Sequence, residues 1–133
     1  MAAKYIEPEE LAKMVKNKSL VPGRDYVIVD VRDEDFAGGH IPNARNIPAH
    51  EFLDATLDYV PALENTPRVI FHCALSQVRG PKCAKRFAST LNELRAEKCA
   101  LGKEQPVPEV YILRNGFEGW DQLYGNDKEL VER

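Results

Sequence analysis

An α/β fold with a central, mainly parallel sheet and helices on both faces is predicted by three features of this sequence. Three short runs, Tyr26–Val31, Arg68–His72 and Glu109–Leu113, are rich in Val and Ile. The first is nearly continuous in apolar character, as expected of a strand buried on both faces. Segments with helical periodicity separate the runs, which points to parallel pairing through right-handed crossovers.

The elements follow in order. Pro8 is placed to open a helix on which Leu11, Met14 and Val15 recur at helical spacing, with an exit loop over Asn17–Gly23. Asp33–Pro48 is rich in Gly, Pro and Asn and reads mostly as loop. Phe52, Leu53, Leu57 and Val60 predict one short helix ending before Pro61. A longer helix is expected from Pro81 to about Lys98, with Cys83, Phe87, Leu91 and Leu94 on one face. Pro106 and Pro108 punctuate a loop, Asn115-Gly116 marks a turn, and Trp120 with Leu123 is expected to anchor a last short helix. Residues 1–133 read as a single domain, with 122–133 a polar tail expected to fray.

Composition narrows the function. A net charge of −3 gives no global support for binding nucleic acid or an anionic membrane. No apolar run approaches the length of a membrane span. Three cysteines with no signal-peptide pattern point to a reducing compartment, the cytoplasm with the nucleus as a second setting. Cys73, Cys83 and Cys99 form no CxxC pair, and no His completes a zinc knuckle, so no metal is expected.

The stretch FHCALSQVRGPKCAKRF carries the chemistry. Cys73 and Arg79 bracket five residues between a strand and a helix. Such a turn can offer a thiolate, a ring of inward N–H groups from Ala74, Leu75, Ser76, Gln77, Val78 and Gly80, and a planar cation that grips two oxygens. The helix dipole adds positive potential beneath a bound anion. In such surroundings a cysteine pKa of about 8.5 can fall to roughly 3.5–7.5. His72 reads as a brace for the loop backbone. Cys83 reads as core packing, with a resolving-thiol role as the alternative. Cys99 and His50 have no evident partner.

The residues also resemble a known family. VIVDVRDEDFAGGHIPNARNIP is similar to the amino-terminal segment of rhodanese-like domains, and RNGFEGW resembles the segment near their end. With HCALSQVRG, the likeness spans Tyr26 to Asp121 in the expected order. The five-residue spacing resembles the cell-division-cycle-type dual-specificity phosphatases and the eukaryotic arsenate reductases, including plant members. Sulfurtransferase members usually have one residue fewer. Carry-over makes Cys73 the nucleophile and Arg79 the oxyanion clamp. His40 and Asp30 match family positions; Gly39-His40-Ile41 reads as a structural turn, and Asp30 as a partner for Arg32 or for backbone donors.

The phosphatases of that branch carry acidic residues within the loop, where Ala74 and Val78 stand here. Asp33, Glu34, Asp35 or Glu118 could approach from neighbouring turns to act as an acid. Arsenate needs less such help, and RGPKCAKRF is similar to the reductase branch. The resemblance therefore implies an arsenate reductase, serving arsenic detoxification, with no bound cofactor, glutathione as co-substrate and glutaredoxin as partner. The alternative is a tyrosine or dual-specificity phosphatase acting on a phosphoprotein through phosphocysteine. A thiosulfate sulfurtransferase or a non-catalytic binding module is the third class.

Overall fold

The computed structural model describes residues 3–33, 38–75, 77–100 and 108–133, apart from the side chains of 98–100. Along the chain run β1 (Lys4–Ile6), α1 (Pro8–Lys16), β2 (Val27–Asp30), β3 (Arg45–Asn46), α2 (Ala49–Asp54), α3 (Thr56–Leu63), β4 (Arg68–His72), α4 (Arg79–Ala100), β5 (Glu109–Leu113) and α5 (Gly116–Tyr124). Among the described residues the strands form one five-stranded sheet in the order β1-β5-β4-β2-β3. Every pairing is parallel.

The two-residue period of a strand sorts side chains onto opposite faces. Val27, Val29, Val69, Phe71 and Cys73 join one core with Phe52, Val60, Leu63, Cys83, Phe87 and Leu91 from α2, α3 and α4. Phe71 lies edge-on to Phe52, with ring centroids 5.3 Å apart, and 5.6 Å from Phe87. Ile28 and Ile70 face the other way, into a core with Leu11 and Met14 of α1 and Phe117 and Trp120 of α5. Both faces are thus covered, as a parallel sheet requires.

Several elements differ from expectation. The strands β1 and β3 carry little apolar signal, being three residues with two exposed and two exposed residues respectively. Their place at the sheet edges is set by β5 and β2, which offer unpaired backbone. The single helix expected before Pro61 is two helices, with Pro61 inside α3. Leu57, expected on the apolar face, is 64 % exposed. The helix expected from Pro81 begins two residues earlier, at Arg79. Leu123 is exposed, and Phe117 instead joins Trp120 in anchoring α5.

The expected frayed tail is stitched to the body. Leu130 and Val131 are buried, and the Trp120 indole N–H donates to the Leu130 carbonyl at 2.8 Å. His40 and Glu132 exchange both backbone hydrogen bonds, each 2.8 Å. Two adjacent apolar residues, Leu130 and Val131, were enough to seat the end of an otherwise polar segment. The expected loop around Pro106 lies outside the described residues. Replacing Trp120→Phe keeps the ring and removes the indole donor. It should cost about 1 kcal/mol in urea unfolding and raise amide exchange over residues 126–133.

Candidate functional site

The site lies where β4 passes into α4. Because His72 and Cys73 are neighbours on one strand end, their side chains leave on opposite faces: Cys73 enters the α4 core and His72 the α5 side. Cys73 is 3 % exposed, at the base of the loop. The Gly80 N–H, in the first turn of α4, donates to its sulfur at 3.3 Å. This is one of the donors a helix leaves unpaired at its start, so the positive end of α4 is directed at the sulfur. Gly80 must be small for that approach. A Cβ there would lie 3.2 Å from the His72 Cα and 3.3 Å from the Cys73 nitrogen.

Around the turn, Ala74 is half-buried and Leu75, Gln77 and Val78 are exposed, while Ser76 lies outside the described residues. Arg79 is half-buried at the first position of α4. The Val78 carbonyl accepts the Lys82 N–H at 3.0 Å, which closes the first turn. That turn holds Arg79 and Lys82 and no acidic residue. Cations at a helix N-terminus oppose the macrodipole, so the helix forgoes the usual acidic preference at this point.

A second helix grips the loop from the other side. Phe117 and Glu118 donate their N–H groups to the Cys73 and Ala74 carbonyls, both at 2.9 Å. The chain reaches this position through Asn115 and Gly116, with left-handed φ of 67° and 59°. A Cβ on Gly116 would sit 2.5 Å from the Ala74 oxygen and 2.6 Å from that of Cys73. RNGFEGW, noted in the sequence as a resemblance alone, is thus the clamp that holds the loop's root. The Asn-Gly pair was the signal for it.

Beneath the loop lies a buried polar network. Parallel register sets Asp30 beside His72. The Asp30 carboxylate accepts from Arg32 Nε at 3.0 Å and Nη2 at 2.8 Å, and from the Arg32 backbone N–H at 3.1 Å. Arg32 also donates to the Gly39 carbonyl at 2.8 Å and lies over the Phe117 ring at 4.2 Å. The His72 Nδ1 lies 3.2 Å from the Cys73 carbonyl. A carbonyl can only accept, so Nδ1 carries the proton. Nε2, 3.7 Å from Asp30, makes no hydrogen bond among the described residues. Burial pushes the imidazole below its ordinary pKa of 6.5, against a smaller opposing pull from Asp30. A neutral ring donating to the loop's first carbonyl is placed to brace it. Asn46 was not foreseen in this network; its side chain donates to the Asp30 and Arg32 carbonyls at 3.0 and 2.8 Å.

Cys83 is fully buried, and burial with the nearby Cys73 pushes its thiol up to about 12. It therefore stays protonated and packed at neutral pH. The Cys99 side chain lies outside the described residues. Of the candidate acids, Glu118 is exposed and held to the loop by its backbone, and Asp33 lies 3.6 Å from His50, for which no partner was expected. Glu34 and Asp35 lie outside the described residues. Among the described residues, no group of three or more His, Cys, Asp or Glu could hold a metal, and no helix is long and apolar enough to cross a membrane.

A parallel α/β sheet with a cysteine loop gripped by two helix starts defines the class, and comparison with known proteins places the chain within it. The rhodanese-like domain family matches residues 7–123, and the chain belongs to that family. It is 35 % identical to the dual specificity phosphatase ibp1 of Schizosaccharomyces pombe, over 96 % of this chain and 95 % of that protein. It is 31 % identical to arsenate reductase 2.1 of Oryza sativa subsp. japonica, over 88 % of this chain and 66 % of that protein. A solved yeast protein tyrosine phosphatase of the rhodanese family superposes with a TM-score of 0.74 at 28 % identity, covering 98 % of this chain and 92 % of that one. The branch with phosphatases and arsenate reductases is therefore the right one, as the loop length indicates.

Two predictions follow from the geometry. Gly116→Ala forces a Cβ into the loop's carbonyls at a left-handed φ, and should lower stability by at least about 1–3 kcal/mol in thermal or urea unfolding. Stability should also fall with acid through His72. The unfolded ring takes up a proton below its ordinary value of 6.5, whereas the buried ring resists protonation until lower pH. The contribution is thus complete above that value and declines as pH drops from it toward the depressed folded value. His72→Asn, which keeps a donor near the Nδ1 position, should flatten this decline in urea midpoints measured from pH 8 to 5.

Proposed function

We propose that this protein is a phosphatase that works through a phosphocysteine at Cys73. The observation that carries the reading is the Gly80 N–H on the Cys73 sulfur, from a helix start that carries Arg79 and Lys82 and no acidic residue. That arrangement aims an N–H donor and the positive end of a helix at the sulfur, and suits a phosphoryl oxyanion held beside it. The likeness to phosphatases along nearly the whole chain moves the weight from arsenate, the oxyanion that the loop residues alone favour, to a phosphoprotein.

In the first step the Cys73 sulfur attacks phosphorus, the bond to the leaving oxygen breaks, and that oxygen takes its proton from water. The loop N–H groups and the Arg79 fork bind the three equatorial oxygens, where negative charge gathers. In the second step a water oxygen attacks phosphorus, the S–P bond breaks, and thiolate and inorganic phosphate are restored. His72 holds the first carbonyl of the loop while the sulfur changes partners.

Arsenate reduction is the second reading, and two observations favour it. The loop ALSQV has no carboxylate to protonate an alcohol, and the sequence has no CxxC pair while Cys83 is locked in the core, which supports a second thiol from outside. Glutathione would then be the co-substrate and glutaredoxin the partner, with no bound cofactor. Purified protein assayed side by side on phosphopeptide and on arsenate with glutathione and glutaredoxin separates the two. Peptide cleavage without arsenate turnover supports the phosphatase, and the reverse overturns it.

Under either reading Cys73→Ser should abolish turnover. Arg79→Lys should weaken binding of a phosphate analogue such as vanadate on the order of 10–100-fold, because a point charge replaces a bidentate fork. Cys83→Ser should retain activity within about threefold, since a core thiol at that position has no role in the transfer. Loss of turnover in folded Cys83→Ser would reveal an internal relay.

A further inference from the structure

We infer that the solvent face of α4 beside the cysteine loop, formed by Lys82, Lys85 and Arg86, docks acidic residues that flank the phosphorylated residue of a protein substrate. The inference rests on the phosphatase reading and adds to it a recognition surface outside the loop.

The sequence segregates charge here. The chain carries 21 acidic and 18 basic residues, yet no Asp or Glu stands between Glu64 and Glu93. Within that stretch Arg79, Lys82, Lys85 and Arg86 all fall at the start of α4. Successive positions turn by about 100° around a helix, so Lys82, Lys85 and Arg86, three and four residues apart, share one face. All three are exposed, while Cys83, Ala84 and Phe87 are buried.

Packing within the fold gives no reason for that face. Among the described residues none of the three forms an ion pair, whereas Arg95, in the far half of α4, pairs with Glu64 at 3.8 Å. Lys82 stands three residues from Lys85 and four from Arg86, and like charges at those spacings destabilise a helix. Cations at the N-terminal end also oppose the macrodipole. An anionic partner lying on the face relieves both penalties. Arg86 marks one border, since it lines a groove with Asp54, Asp58 and Glu93, where the cationic surface gives way to an acidic one.

Position selects the occupant. Gly80, whose N–H meets the Cys73 sulfur, precedes Lys85 by five residues and Arg86 by six. At 1.5 Å per residue those cations stand about 8–9 Å along the axis from the loop, and helical side chains lean back toward the N-terminus. An extended peptide advances about 3.3 Å per residue, so side chains two or three residues from a phosphate held in the loop reach them. A net charge of −3 and so short a cationic row suit an acidic peptide segment rather than a nucleic acid or an anionic membrane.

The test uses two peptides that carry one phosphotyrosine, flanked on both sides by Glu in one and by Gln in the other. Wild-type protein should favour the Glu peptide in kcat/KM about tenfold at about 0.1 M salt. The preference should vanish at about 1 M, where the screening length falls to about 3 Å. The double variant Lys85→Gln, Arg86→Gln should bring the two peptides within about twofold of each other, and Lys85→Gln alone should fall between. Turnover of p-nitrophenyl phosphate, which reads the loop alone, should stay within about twofold of wild type in both variants. Their melting temperatures should be unchanged or raised, because like charges have left the helix. Equal kcat/KM for the two peptides in wild type, or a preference that survives the double variant, overturns the inference. Retention on phosphatidylserine vesicles that the double variant abolishes, without a peptide preference, assigns the face to a membrane and overturns it too. Turnover of p-nitrophenyl phosphate without a peptide preference overturns the inference alone. No turnover of that ester or of either peptide overturns the phosphatase reading and the inference with it.

Discussion

The starts of two helices converge on one turn of backbone, and their unpaired N–H groups set its shape. From α4, Gly80 reaches the sulfur of Cys73; from α5, Phe117 and Glu118 reach the carbonyls of Cys73 and Ala74. A helix must find partners for its first N–H groups, and here the partners are atoms of the site. The demand that structure makes of each helix is thereby met by organising the loop. Each contact needs a glycine: Gly80 for a close helix–strand approach, and Gly116 for a left-handed turn pressed on two carbonyl oxygens. The apolar sheet and its two cores serve to hold these helix starts at a common edge.

A second layer of order comes from the ionic network under the sheet edge. Asp30 and Arg32 are buried, at 0 % and 3 % exposure, and such a pair is costly to desolvate. What it provides is geometry. Arg32 ties the end of β2 to the Gly39 carbonyl and to the face of Phe117, the residue whose N–H grips the nucleophile's carbonyl. Asp30 lies against His72, which holds the same carbonyl from below. The Cys73 carbonyl therefore accepts from two sides, and both donors trace back to one ion pair.

Much of this was legible in the residues. The strands β4 and β5 fall on the stretches that apolar runs mark, and β2 lies within the run Tyr26–Val31, because strands buried on both faces must be written in Val and Ile. Cys73, the turn at Gly80 and the loop length can be read directly, since that chemistry is local in sequence. Edge strands β1 and β3 were not legible, because tertiary pairing rather than composition makes them strands. Pro61 misled for a related reason: α3 tolerates one missing donor on its exposed side. The start of α4 at Arg79 was hidden because a cation at a helix N-terminus opposes the dipole and glycine has low helix propensity, and the needs of the sulfur loop override both. The grip of α5 on the loop joins residues far apart in sequence, so only the fold could reveal which carbonyls RNGFEGW meets.

That grip has a consequence for the order of synthesis. On the ribosome, the cysteine strand emerges long before the segment that clamps it, and β1 can take its place only after β5, its neighbour in the sheet among the described residues, has been made. The nascent chain therefore carries a nucleophile-bearing turn with its bracing incomplete until α5 is translated. Competence is acquired in a late, nearly single event, and any chain cut short before Phe117 would keep the cysteine and lose the scaffold that aims it.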